Sequence, residues 1–291
     1  MAPEPQADMP ELPEVETVRT GLEKALKGQR IDRVELRRGD LRRPFPPGFA
    51  KRLKGHEVKN VGRRAKYVIL DLDDGNRCIM HLGMSGSFRI EDDIAAKSLT
   101  AHDHVVFHLS SGKRVVFNDP RRFGSMDLVP AGVLDKTPPF DRIGIEPLGH
   151  DLTAGWLAAQ LAGKKTSIKA ALLDQGIIAG LGNIYVCEAL WAARVSPLRK
   201  AASLADRRGR PTEACRKLPG AIRQVLKAAI ASGGSSLRNH FRTDGTLGEF
   251  QHQFKVYGKE GKPCPRRGCG GTIRRIVQAG RSTFYCPVCQ R

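Results

Sequence analysis

No apolar run in this 291-residue chain approaches the roughly 18 residues that a membrane-spanning helix requires. The opening stretch MAPEPQADMPELPEVE lacks both the basic region and the apolar core of a secretory signal. These absences argue against a membrane protein and an exported one, and a cytoplasmic protein is expected. Internal repeats and long low-complexity segments are also missing. Acidic residues are in short supply: 30 Asp+Glu stand against 49 Lys+Arg, giving a net charge of +19 and a pI near 10.0. Such an excess points to a polyanionic partner, because each phosphate neutralised by a cation releases counterions. An even set of cysteines is absent too. The seven present argue against a disulfide framework, and four of them crowd into the last 28 residues.

What is present divides the chain into stretches of different periodicity. Residues 1–9 form a Pro- and acid-rich extension. From Pro10, PELPEVETVRTGLEKALKG predicts an extended entry and then a helix, with Val15, Val18, Leu22 and Leu26 near helical spacing and Gly28 as its stop. Residues 31–130 are β-rich: RIDRVEL, KYVILDL, RCIMHL, HVVFHL and KRVVFND are short, rich in Val and Ile, and separated by Gly or Asp turns. Several strands at this spacing suggest an antiparallel sandwich or barrel. A Pro- and Gly-dense connection at 130–149 follows. Helical spacing then returns in LTAGWLAAQLAG, TSIKAALLDQ, NIYVCEALWAARV and EACRKLPGAIRQVLKAAIASGG, with 198–212 as an exposed connection. The tail at 250–291 holds nine Lys/Arg and a single acid, Glu260.

That tail carries a metal signature. Cys264 and Cys269 are spaced C-x4-C, Cys286 and Cys289 are spaced C-x2-C, and 16 residues separate the pairs. Two such knuckles can converge on one tetrahedral ion, and four thiolates leave no open coordination position, so one structural zinc ion is expected. Between the knuckles, TIRRIVQAGRSTFYC predicts two strands around a turn that presents Arg281 at its tip. In a basic, zinc-pinned hairpin an Arg there suits phosphate contact.

MPELPEVETV, beginning at Met9, is the most specific stretch. Initiation at Met9 followed by methionine removal would leave Pro10 as a free secondary amine. An α-amino group titrates near 7.7–8.0, so roughly a tenth or more is neutral at pH 7, which makes it a ready nucleophile. Glu11 and Glu14 follow at once, and either can shuttle protons. If residues 1–8 persisted, the Pro10 nitrogen would be an amide and could not attack. The expectation is therefore that Met1 is a miscalled start or that the segment is later removed.

MPELPEVETV, RRAKY at 63–67, HLGMSGS at 81–87, DPRRFG at 119–124, GLGNIY at 180–185 and the four-cysteine finger occur in one order. With them the chain, from Met9 to Arg291, closely resembles the bacterial formamidopyrimidine-DNA glycosylase family. The resemblance implies an α+β fold: an N-terminal antiparallel β-sandwich flanked by helices over 10–140, a helical DNA-binding domain with a helix–two-turn–helix over 150–248, and the zinc-finger hairpin over 250–291. It implies a repair enzyme that removes 8-oxoguanine and formamidopyrimidines from duplex DNA and then cleaves the abasic strand by β,δ-elimination. Its partner would be double-stranded DNA with oxidised purines or abasic sites, and it is expected to act as a monomer.

By the same resemblance, Pro10 attacks C1′ and forms an iminium, Glu11 transfers protons, Lys66 serves phosphate contact and β-elimination, and Arg281 serves δ-elimination. Met84, Arg121 and Phe123 would fill the space left by the flipped nucleotide, as an apolar wedge and an Arg can. His102, Arg121 and Lys164 match DNA-contacting positions, and His81 a further one. Within DQGIIAGLGNIYVCEALW the Gly-rich turn brings backbone N–H groups and Asn183 toward a phosphate. Read as a nucleotide-binding loop, that turn fails for want of a Gly-Lys-Ser/Thr. The C-x4-C knuckle departs from the C-x2-C associated with the family. Two rivals stand beside this reading: an endonuclease VIII-like enzyme for oxidised pyrimidines, and a non-catalytic zinc-finger DNA binder. A lesion-capping loop is expected near 235–250.

Overall fold

The computed structural model describes residues 9–92, 98–235, 243 and 248–291, so residues 1–8 and most of the expected capping loop lie outside the described residues. The chain forms two compact units. One comprises Met9–Arg142 with Ser232–Glu249, and the other Ile143–Ala231 with Phe250–Arg291.

The first unit is an antiparallel β-sandwich. One sheet has the order β1-β6-β7-β5, formed by Ile31–Leu36, Asp103–Leu109, Lys113–Asn118 and Ser87–Asp92. The other has the order β2-β3-β4-β8, formed by Val58–Arg64, Tyr67–Leu72, Arg77–His81 and Ser125–Val129. Alternating positions such as Val105, Phe107, Val115, Phe117, Val68, Leu70, Cys78 and Met80 point into one shared core. Helix α1 (Leu12–Leu26) has Pro13 in its first turn, where the missing N–H costs nothing, and ends before Gly28 at φ +76°. It buries Val15, Val18, Leu22 and Leu26 in that core, the stripe its sequence spacing predicts. A short helix, α2 (Phe49–Leu53), adds Phe49 and Leu53.

The described residues 232–235, 243, 248 and 249, which follow the last long helix, belong to this β unit. Ser235 and Glu249 form an antiparallel bridge, and Ile90 N–H donates to the Thr243 carbonyl at 3.3 Å. Gly21 explains how that chain can lie against α1, since a Cβ there would run into the Thr243 side chain.

The second unit is helical: α3 (Ala154–Leu161), α4 (Ile168–Leu173), α5 (Asn183–Ala193) and α6 (Glu213–Ala231). Thr153 and Ser167 cap α3 and α4 by accepting from Trp156 N and Ala170 N. Between α4 and α5 the chain makes two turns pinned by Gln175, whose amide donates to Leu173 O and Leu181 O and accepts from Gly180 N. This is the helix–two-turn–helix. A two-stranded hairpin, β9 (Arg274–Gln278) and β10 (Arg281–Tyr285), completes the unit. Its turn residues Ala279 and Gly280 both have positive φ, 48° and 72°, as the mirror-image hairpin turn demands. No helix among the described residues is long and apolar enough to cross a membrane.

Candidate active site and metal centre

In the β unit, Pro10 is buried immediately ahead of α1, and Glu11 is the residue that opens the helix, 3% exposed. Glu14 fixes this corner. Its Oε2 accepts from Glu11 N–H at 3.0 Å, while Oε1 accepts from Ser235 N–H at 2.7 Å and from the Ser235 hydroxyl at 3.0 Å. The start of the helix is thereby tied to a segment 221 positions away.

Lys66 occupies the tight turn joining β2 to β3, just after Ala65 at φ +52°, and is half-buried. Arg63 braces that turn, donating to Ala65 O at 2.9 Å and to Glu16 Oε2 of α1 at 2.7 Å. His81 ends β4, in register opposite Tyr67 with the rings 4.7 Å apart. Burial, together with the nearby charges of Lys66, Arg42 and Arg43, pushes its pKa down to about 4, so the imidazole is neutral at pH 7. Gly83 N–H donates to its Nδ1 at 3.0 Å, which leaves Nε2 as the ring's N–H donor.

Met84, Arg121 and Phe123 lie on two loops that form one platform. Met84 is half-exposed, Arg121 is exposed, and the Phe123 ring is 41% exposed with the Arg121 guanidinium 5.0 Å from its centre. Gly83 at φ +64° touches the other loop backbone to backbone, and any Cβ there would strike Phe123 and Gly124. Asp119 organises the second loop: Oδ2 accepts from Gly124 N–H, and its backbone carbonyl from Arg122 N–H and buried His104 Nε2. His102 joins the group through its carbonyl, which accepts from Asp119 N–H at 2.9 Å. Sequence reasoning did not single out Ser85, Asp119 or His104. An Asp before Pro at the start of a turn is the signal that could have found Asp119.

In the helical unit, Lys164 sits in the turn after α3, its N–H bonded to Leu161 O at 3.1 Å. Asn183 is the first residue of α5, where helix N–H groups suit an anion. Its Nδ2 donates to Ser282 O at 3.0 Å and to the Tyr257 hydroxyl at 3.2 Å, and Oδ1 has no hydrogen-bond partner. Fully buried Lys169 also reaches the hairpin, at Ser282 O and the Thr283 hydroxyl. These contacts fix β10 beside its exposed first residue, Arg281.

The four clustered sulfurs lie within 4.8 Å of one another, with Cys264–Cys289 at 3.9 Å and Cys269–Cys286 at 3.5 Å. Tetrahedral zinc with Zn–S bonds of about 2.3 Å needs edges of roughly 3.8 Å, so the donor set fits one structural zinc ion. Gln290 braces the second knuckle, accepting from Cys286 N–H and donating to Val195 O. Of the remaining cysteines, Cys78 and Cys215 are buried thiols, and burial pushes Cys215 up to about 11.

A β-sandwich, a helix–two-turn–helix and a four-cysteine finger together define a zinc-finger DNA-binding protein. Comparison with known proteins narrows this. Residues 9–126 match the formamidopyrimidine-DNA glycosylase N-terminal domain, residues 143–240 the H2TH domain of the same enzymes, and residues 261–291 the zinc finger found in FPG and IleRS. The chain is 57% identical over 293 residues to a formamidopyrimidine-DNA glycosylase of a Bradyrhizobium species, covering 97% of this chain and 100% of the relative. Among solved structures, a Lactococcus lactis FPG mutant with Fapy-dG DNA superposes with a TM-score of 0.85 at 35% identity, covering 97% of this chain and 100% of that one. The Lactococcus lactis Fpg with abasic-site DNA gives 0.84 at 35% identity, covering 97% and 99%. The chain belongs to the formamidopyrimidine-DNA glycosylase family, whose members are DNA glycosylases.

Proposed function

We propose that the protein excises oxidised purines, 8-oxoguanine and formamidopyrimidines, from duplex DNA and then cleaves the abasic strand through an iminium on Pro10. The observation that carries this is the corner at the head of α1. A proline sits directly before the helix, an acid is buried beside it, and Glu14 ties Glu11 N–H to Ser235. Structures of Lactococcus relatives with Fapy-dG and abasic-site DNA support the substrate class.

In this reading the Pro10 nitrogen attacks C1′ of the flipped nucleotide and the C1′–N bond to the base breaks. Glu11 handles the protons of base loss and sugar-ring opening. The iminium acidifies the 2′ position, so β-elimination and then δ-elimination follow, with Lys66 and Arg281 at the phosphates they cut. Met84, Arg121 and Phe123 fill the vacated stack and face the orphaned base. His81, His102, Lys164 and Asn183 are assigned to DNA contact. This chemistry requires a protein that starts at Pro10, and the reading places it in the cytoplasm as a monomer. Attack at C1′ and both eliminations need Pro10 as an amine, and the family match beginning at residue 9 supports that start.

Borohydride trapping on a duplex with 8-oxoguanine opposite cytosine tests the proposal. A Met9-start protein should give a covalent band that survives denaturation, and the same protein with residues 1–9 retained ahead of Pro10 should not. Duplex binding without a trapped band would reject the lyase chemistry, and cleavage of thymine glycol alone would reject the purine assignment.

A further inference from the structure

Helix α5 grips the zinc-finger region at three heights. Near its start, Asn183 holds Ser282 of the hairpin. In its middle, the buried Glu188 carboxylate accepts from the backbone N–H groups of Lys255, Val256 and Tyr257 at 2.9–3.1 Å. Near its end, Trp191 reaches the metal centre itself: its indole Nε1–H donates to Cys264 Sγ at 3.4 Å.

The last contact is returned from the finger. Arg266 donates to the Trp191 carbonyl at 2.6 Å, and its guanidinium lies over the indole, 4.4 Å from the ring centre. Arg266 is one of the four residues between Cys264 and Cys269, within the knuckle that is longer than the second one. The extra length therefore supplies a side chain that both stacks on Trp191 and fixes the backbone behind it. Four thiolates around one dication leave two net negative charges, so a donor aimed at one sulfur and a cation beside it both stabilise the loaded site. A planar guanidinium can stack and donate at the same time, which an ammonium cannot match.

We propose that Trp191 is a positioning residue of the zinc centre: its indole N–H holds the Cys264 sulfur, and Arg266, carried by the lengthened first knuckle, clamps the indole in place. The pair makes α5 part of the metal site, so that zinc retention and the anchoring of the hairpin are one property.

The test uses the full-length protein loaded with zinc or with cobalt(II), comparing the parent with W191F and R266A. W191F keeps an aromatic ring for packing and for the guanidinium but removes the N–H. Zinc transfer to a chromogenic chelator should accelerate roughly tenfold in W191F, the lower end of what loss of an outer-shell partner costs, and should also accelerate in R266A. In the cobalt protein, the near-ultraviolet sulfur-to-metal charge-transfer band should move to lower energy in W191F, because a thiolate without its donor gives up electron density more readily. The visible cobalt bands should stay tetrahedral, which reports that the finger is folded. Faster zinc loss with an unmoved charge-transfer band would reduce Trp191 to packing and overturn the proposal. Parent-like transfer in W191F would overturn it as well, and parent-like transfer in R266A would overturn the clamp.

Discussion

The Ser85 hydroxyl donates to Asp119 Oδ1 at 2.5 Å, joining two buried groups 34 positions apart, and the same Ser85 oxygen accepts from Arg121 N–H at 3.1 Å. One hydroxyl thus ties the loop that carries Met84 to the loop that carries Arg121 and Phe123. Together with the backbone contact at Gly83, it joins the loops of Met84, Arg121 and Phe123 into one platform.

Breaking that tie should loosen the wedge without removing any of its members. Ser85→Ala should cost about 1 kcal/mol of stability, and Asp119→Ala about 2–4 kcal/mol, since the latter strands the Ser85 hydroxyl and Gly124 N–H in the interior. Urea unfolding reads both. Binding to a duplex with an abasic-site analogue should weaken in the same order, and unchanged binding by Asp119→Ala would dissociate the platform from DNA.

His81 should make stability depend on acid. The folded imidazole titrates at about 4 because of burial and then of Lys66, Arg42 and Arg43, against about 6.5 when unfolded. Between those values the unfolded chain binds the extra proton, so the contribution of His81 is intact above pH 6.5 and is lost as the pH falls toward 4. Thermal melts of the parent and His81→Gln from pH 7.5 to 5 should show a steeper acid decline for the parent. Parallel curves would mean that the ring takes up its proton at the same pH folded and unfolded.

Zinc removal should act on one part of the protein. A two-stranded hairpin has little stability of its own, so a chelator should unfold the finger and abolish duplex binding. None of the four zinc cysteines lies in the β-sandwich core, which should keep its melting transition. Calorimetry of the chelated protein, followed by zinc restoration, checks both halves of this expectation.

Arg281 stands exposed at the hairpin turn, where phosphate contact would be sequence-independent. Arg281→Ala should weaken binding to damaged and undamaged duplexes alike and reduce the slope of log K against log salt by about 0.9. A loss confined to the lesion duplex would instead mean that Arg281 meets its phosphate only when a damaged nucleotide is engaged.

Four of the five strands legible in the sequence have neighbours on both sides, and the fifth, β1, lies at a sheet edge. β3, β4, β6 and β7 are the four central strands, and their buried Val, Ile and Phe residues stand out. β2, β5 and β8 did not stand out. All three are edge strands, and sequences such as VKNVGRR and SFRIED carry charge because one margin faces away from the sheet. The proposed site residues stand in motifs, and the cysteines were legible through spacing alone. Supports such as Ser85, Glu188 and Trp191 were not, because they act on partners far away in the chain.

By itself, then, the sequence determined the local and the chemical: the helix stripe from Val15 to Leu26, the central strands, the metal ligands, the proline with its acids and the excess of positive charge. These depend on residue type and on short spacing, which a linear chain displays directly. Tertiary structure alone decided that Ser235 would hold Glu14, that Ser85 would lock the Asp119 loop and that Trp191 would touch a zinc ligand. Each of these joins residues brought together by burying a shared core, and a hydrogen bond across such a gap leaves no periodicity in the chain that forms it.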